Sequence, residues 1–79
     1  MTEYQCDAKF LACPLPILKA QKILKQMAKG DQLMILVSDA EQIEEFKFFC
    51  EQGENTYISS EKQDEKVQNH HVWQVLIKK

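Results

Sequence analysis

The fold is decided by residues 13–37, which have the sequence CPLPILKAQKILKQMAKGDQLMILV. In residues 14–29 apolar side chains recur at helical spacing and lysines occupy the opposite side, which predicts an amphipathic helix from Pro14 to Lys29. Gly30 follows at once, as expected for a helix end that needs a left-handed backbone conformation. Residues 33–37 are apolar without interruption, short and partly β-branched, so they predict a strand buried on both faces.

Two further elements flank this helix and strand. Residues Glu3–Ala8 alternate apolar and polar side chains, which is typical of a half-buried strand. After the central strand, apolar side chains at helical spacing predict a second helix that ends at Gly53. Its capping box is either Ser38 with Glu41 or Asp39 with Gln42, two pairs with the required spacing. The apolar face of this helix consists of Ile43, Phe46, Phe49 and Cys50.

The last third of the chain predicts two more strands. Thr56–Ser60 is β-prone, Glu61–His71 is a polar connection, and Val72–Ile77 is a terminal strand. The order βαβαββ makes a right-handed parallel crossover between the first two strands the expected arrangement, and the last two strands can pair antiparallel. We therefore expect residues 1–79 to form one domain of the α/β (α+β) class. It is a two-layer sandwich with a four-stranded mixed sheet and two helices on one face, and a ferredoxin-like arrangement is the main rival.

Composition excludes several classes of function. The chain has 79 residues with ten basic and twelve acidic side chains, so its core is small and its net charge of −2 argues against strong binding to nucleic acid or anionic membranes. No apolar run approaches the roughly 20 residues of a membrane span, and the first four residues lack the features of a signal peptide. We expect a cytoplasmic protein without a cofactor.

The three cysteines form no disulfide framework and have no Cys-x-x-Cys spacing. In a reducing compartment they are free thiols, and together with His70 and His71 they match no familiar zinc spacing, so we expect no metal site. Cys6 lies at an inward position of the first strand and Cys50 on the apolar face of the second helix. Both are expected to be core residues.

Cys13 stands apart because it begins the motif Cys13-Pro14-Leu15-Pro16 at the junction of the first strand and the first helix. Proline suits the first helical turn, so Pro14 is expected at the first helical position and Cys13 at the N-cap. Cysteine is a poor cap, which indicates that the thiol itself is needed. The free N–H groups and positive dipole end of the helix would lower the thiol pKa and stabilise a thiolate or persulfide anion, while Pro14 and Pro16 stiffen the turn. The alternative is a buried Cys13 that serves packing alone.

The motif and its surroundings resemble the TusA/SirA family of sulfur-carrier proteins, and the resemblance extends over almost the whole chain. It implies the βαβαββ sandwich and a catalytic Cys13 that accepts sulfane sulfur from a cysteine desulfurase or rhodanese-like donor protein and passes it to an acceptor protein. The well-studied relay of the family serves tRNA 2-thiouridine formation. Besides the motif, the matching stretches are residues 7–9, 29–31, 38–40, 49–53 and 73–78.

The chain departs from the family pattern at four positions. Phe10 replaces a usual glycine, Ala12 a common basic residue, and Glu45 and Lys47 stand where the family has aspartate and proline. Two other classes of function remain open: a non-catalytic protein-interaction domain and a thiol redox sensor. An exposed Phe48 would be compatible with the former, although single exposed aromatic residues are ordinary.

Overall fold

The computed structural model describes residues 3–79 and has the element order β1 (Glu3–Asp7), α1 (Leu15–Gln26), β2 (Gln32–Val37), α2 (Glu41–Gln52), β3 (Thr56–Lys62) and β4 (Trp73–Lys78). Residues 1 and 2, on which the expectation of no signal peptide partly rests, lie outside the described residues. Within residues 3–79 no helix combines the length and the apolar character needed to cross a membrane.

The four strands form one mixed sheet in the order β1-β2-β4-β3. β1 pairs with β2 in parallel, with Cys6 opposite Ile35. β4 pairs antiparallel with β2 on one side and with β3 on the other. The predicted two-layer sandwich is confirmed, and the parallel β1-β2 pair at one edge excludes the ferredoxin-like alternative.

The core lies between the sheet and the two helices. Cys6 and Cys50 are buried in it, as predicted, and Phe46 of α2 is fully enclosed. The other buried members are Ala8, Ala20, Leu24, Met27, Leu33, Ile35, Val37, Val75 and Ile77.

The central strand is buried on one face only, so the prediction for β2 was wrong. Leu33, Ile35 and Val37 are buried, but the alternating residues of β2 are only half-buried. Both helices cover the same face, which leaves the other face with no second layer among the described residues. An apolar run of five residues does not distinguish a strand covered twice from one covered once.

Helix α1 ends at Gln26, three residues before the predicted end at Lys29. The chain leaves the helix at Met27, and tertiary contacts satisfy the backbone there. Lys79 Nζ donates to the carbonyl oxygens of Leu24 and Met27, and the Asp31 carboxylate accepts the N–H of Ala28. Gly30 does adopt the expected left-handed conformation, with φ of +97°.

The start of α2 also differs from the prediction, because neither capping box forms. The helix begins at Glu41 after an N-cap Ala40 whose side chain cannot cap. Asp39 Oδ1 instead accepts the N–H of Glu41 at 2.9 Å, and the Ser38 hydroxyl is used elsewhere, by the loop that precedes α1. At the other end of the sheet, β3 continues two residues past Ser60 to Lys62 and β4 begins one residue late at Trp73.

Candidate functional site

The motif residues form a turn that leads into α1. Leu15 N donates to Ala12 O at 2.8 Å, and the first helical bond runs from Leu18 N to Pro14 O at 3.1 Å. Because its carbonyl accepts the first helical bond, Pro14 is the N-cap residue, and the Cys13–Pro14 peptide bond is cis. The prediction that Cys13 is the N-cap and Pro14 the first helical residue was therefore wrong by one position.

The two prolines have different surroundings. Pro16 is fully buried as the second residue of α1, where its missing N–H leaves no helical bond unmade. Pro14 is exposed beside Cys13. Pro16 therefore anchors the start of α1 in the core, whereas Pro14 shapes the turn that carries the thiol.

Cys13 is the one exposed cysteine of the three. The alternative of a buried, purely structural Cys13 is therefore wrong. Burial raises the pKa of both other thiols, Cys6 and Cys50, which disfavours their thiolates further. Of the three thiols, only that of Cys13 is exposed to a reagent in solvent.

The pKa of Cys13 is raised, whereas the sequence predicted a lowered value. The main cause is the neighbouring carboxylate of Glu45, since hydrogen bonding to it favours the protonated thiol, and desolvation and the negative charge of Glu45 add to the rise. A thiol that donates to a carboxylate keeps its proton, because the thiolate would face a like charge. The helix end offers less compensation than expected, since Cys13 lies before the N-cap rather than on it.

Cys13 lines an open groove of about 550 Å³ between the start of α1 and the outer face of α2. Apolar side chains dominate the groove, and Glu44 and Glu45 supply its charge. Its lining consists of Cys13, Ile17, Glu44, Glu45, Phe48, Phe49 and Gln52. A molecule that binds in this groove lies next to the Cys13 side chain.

Two contacts that the sequence reasoning missed hold the loop before Cys13. The backbone N–H of Phe10 donates to Ser38 Oγ at 2.8 Å, and Gln42 Nε2 donates to the carbonyl of Leu11 at 2.8 Å. Gln42 is buried, and buried amides need hydrogen-bond partners, but its burial is known only from the structure, so no signal in the sequence pointed to this contact. Glu45 was noted only as a replacement for an aspartate, and its contact with Cys13 depends on how α2 packs beside α1.

The structure also shows the surroundings of the α1 lysines and of His70. Lys19 Nζ donates to the backbone carbonyl of Asp7, while Lys22, Lys25 and Lys29 are exposed. His70 is exposed, and its ring forms a T-shaped contact with the ring of Phe10, with centroids 5.4 Å apart.

Known proteins match this chain at the level of sequence and of structure. A candidate sulfur carrier protein from Neisseria meningitidis serogroup A is 39% identical over 64 residues, which cover 81% of this chain and 86% of the relative. A counterpart from serogroup B of the same species gives the same values. The crystal structure of a SirA-like protein from Desulfitobacterium hafniense superposes with a TM-score of 0.69 at 24% identity over 95% of both chains, which supports the fold. The family model for the sulfurtransferase TusA matches residues 4–79, and the chain therefore belongs to the TusA family of sulfur carriers.

Proposed function

We propose that Cys13 accepts a sulfane sulfur from a donor protein, carries it as a persulfide and delivers it to an acceptor protein. The single observation that carries the proposal is that Cys13 is exposed in an open groove while both other cysteines are buried. No second thiol is available at the surface to resolve a disulfide, which favours sulfur transfer over dithiol redox chemistry.

The reaction is a thiol–persulfide exchange. The Cys13 thiolate attacks the outer sulfur of the donor persulfide, a new S–S bond forms on Cys13, and the bond within the donor breaks. The donor cysteine leaves as a thiolate and takes a proton from water, while the proton of Cys13 goes to the solvent. In the second half, an acceptor thiolate attacks the outer sulfur on Cys13 in the same way. Sulfur moves without net oxidation.

The donor we propose is a cysteine desulfurase or a rhodanese-like protein, and the acceptor a protein of a cytoplasmic sulfur relay such as tRNA thiolation. Three free thiols are compatible with a reducing compartment. The acceptor is tested by comparing the 2-thiouridine content of tRNA between a strain with the natural protein and one with Cys13→Ser. Equal content would exclude tRNA thiolation as the pathway.

The carrier role is tested by incubating the protein with cysteine desulfurase, cysteine and pyridoxal phosphate and then measuring its mass. We expect one added sulfur atom, about 32 Da, on Cys13. Cys13→Ser should abolish the adduct without unfolding the protein, because the thiol is exposed, whereas Cys6→Ser and Cys50→Ser should retain it. An adduct that persists in Cys13→Ser would place the site elsewhere. No adduct with either a desulfurase or a rhodanese and thiosulfate would favour an interaction domain.

A further inference from the structure

The groove beside Cys13 has an apolar surface of the kind that contacts another protein. Phe48 is 62% exposed, more than any other large hydrophobic residue of the described chain, and it lies in the same groove as Ile17, Phe49 and Cys13. A lone exposed aromatic residue is ordinary, but here several apolar side chains adjoin the only exposed thiol. A protein segment that packs on this surface would lie next to the Cys13 thiol.

The charge of the groove is negative. No lysine lines it. The ammonium nitrogen of Lys47, on the same helix, lies 3.5 Å from Glu44 Oε1 and 5.3 Å from the centre of the Tyr57 ring. Because Tyr57 is in β3, Lys47 is held towards the sheet. Glu45 forms no ion pair with any residue of the described part of the chain, and its neighbour in the groove is the Cys13 thiol.

The adjoining surface of α1 has the opposite charge. There Leu15 and Leu18, each about half exposed, lie beside Lys22 and Lys25 in a separate shallow groove. A basic segment is repelled by this side of α1 and attracted to the side of α2, where the carboxylate of Glu45 is unpaired. The charge pattern therefore selects both the kind of ligand and the side from which it approaches Cys13.

We propose that the groove of Cys13, Glu45, Phe48 and Phe49 docks a segment of the sulfur donor in which an apolar side chain adjoins a lysine or arginine. The apolar side chain packs on Phe48 and Phe49, and the cation pairs with Glu45. The inference rests on the proposed carrier function, and it names the donor rather than the acceptor for a chemical reason. Glu45 lines the groove with Cys13, its negative charge opposes a thiolate there, and Cys13 acts as the attacking thiolate only in the exchange with the donor.

Docking of the cation also prepares the thiol for attack. Once Glu45 pairs with a lysine or arginine, the negative charge that opposes the Cys13 thiolate is neutralised. The proton then leaves to the solvent, and the Cys13 thiolate attacks the outer sulfur of the donor persulfide. The unloaded carrier thus stays protonated until the donor is in place.

The test measures Cys13 persulfide formation against the concentration of a persulfidated cysteine desulfurase. In Glu45→Gln the half-saturating donor concentration should rise at least about tenfold, the equivalent of about 1.4 kcal/mol, without a fall in the maximal rate. The same variant, tested alone, should react faster with iodoacetamide at pH 7, because the carboxylate no longer opposes the thiolate. A merely structural role of Glu45 would not produce weaker docking together with a more reactive thiol.

Two further variants and the salt dependence complete the test. Phe48→Ser should also raise the half-saturating concentration, whereas Glu61→Gln, the same charge change on β3, should leave it unchanged. Raising KCl from about 0.05 M to about 0.5 M should weaken docking of the natural protein but not of Glu45→Gln, since salt screens exposed ion pairs. If transfer to Cys13 proceeds and neither Glu45→Gln nor Phe48→Ser changes half-saturation, the docking site is wrong and the carrier function stands. If the natural protein accepts no sulfur from desulfurase or rhodanese, both proposals are wrong.

Discussion

The backbone N–H of Phe10 donates a 2.8 Å hydrogen bond to the hydroxyl oxygen of Ser38, which ties the loop before Cys13 to the end of β2. Phe10 adopts a left-handed backbone conformation with φ of +66° in making this contact. Side chains disfavour that conformation because Cβ approaches the following carbonyl oxygen. The family's usual glycine at this position has a physical basis, and Phe10 occupies it under strain.

At position 10, glycine should therefore give a more stable protein than alanine. We expect Phe10→Gly to be more stable than Phe10→Ala by about 1 kcal/mol, because only glycine adopts a positive φ without steric cost. Urea denaturation of the two variants measures the difference. The matched control is Phe48, which lies within α2. There Phe48→Ala should be more stable than Phe48→Gly by about 1 kcal/mol, because glycine disfavours a helix. Greater stability of Phe10→Ala would show that the loop is not strained at this residue.

Alkylation should distinguish exposure from thiol activation. Cys13 should react with iodoacetamide before Cys6 and Cys50, because it alone is exposed. Since the pKa of Cys13 is raised, its rate should increase with pH beyond the range in which an ordinary cysteine is already ionised. In Glu45→Gln the whole profile should move to lower pH, and in Glu61→Gln it should not move. Equal labelling of all three cysteines at neutral pH would contradict the assignment of the site.

The two buried thiols should make the folded state sensitive to alkaline pH. Burial raises the pKa of Cys6 and Cys50 above the ordinary value of 9.0. A group whose pKa is higher in the folded state stabilises that state below its unfolded pKa and loses this contribution as the pH rises through the folded value. The free energy of unfolding should therefore fall above about pH 9, where the unfolded chain ionises first.

The measurement for this prediction is urea denaturation between pH 7 and 11, compared with a Cys6→Ala/Cys50→Ala variant. Alanine lowers stability at every pH because it leaves cavities, but the decline with rising pH should be shallower than in the natural protein. Parallel curves for the two proteins would exclude the buried thiols as the cause.

Lys79 should contribute to stability through the end of α1. Its ammonium group donates to the carbonyl oxygens of Leu24 and Met27, and a cation at this position also interacts favourably with the helix dipole. Lys79→Met should lower the free energy of unfolding by about 1–2 kcal/mol in urea denaturation. Lys78→Met, at the exposed neighbouring residue, should change it little. Equal effects of the two substitutions would mean that the contacts of Lys79 add nothing.

The element order, the fold class and the burial of Cys6 and Cys50 could be predicted from local sequence. Helical spacing in residues 14–29, the apolar run of β2 and the alternation of β1 each depend on neighbours a few positions away, so periodicity reveals them. Cys6 and Cys50 were recognised as core residues because they lie on the apolar faces of their elements. The motif around Cys13 was visible because prolines are informative at a helix start.

Other features depend on residues far apart in the chain, and only the tertiary structure decided them. α1 ends at Gln26, where Lys79, more than 50 positions away, donates to the carbonyl oxygens of Leu24 and Met27. Phe10 is left-handed in a loop whose backbone bonds to Ser38, and Glu45 of α2 raises the pKa of Cys13. The electrostatics of the helix start alone had predicted the opposite shift, a lowered pKa of Cys13. The carboxylate of Glu45, 32 positions away in sequence, raises this pKa because a neighbouring negative charge disfavours the thiolate, whereas the effect of a helix dipole falls off within one turn.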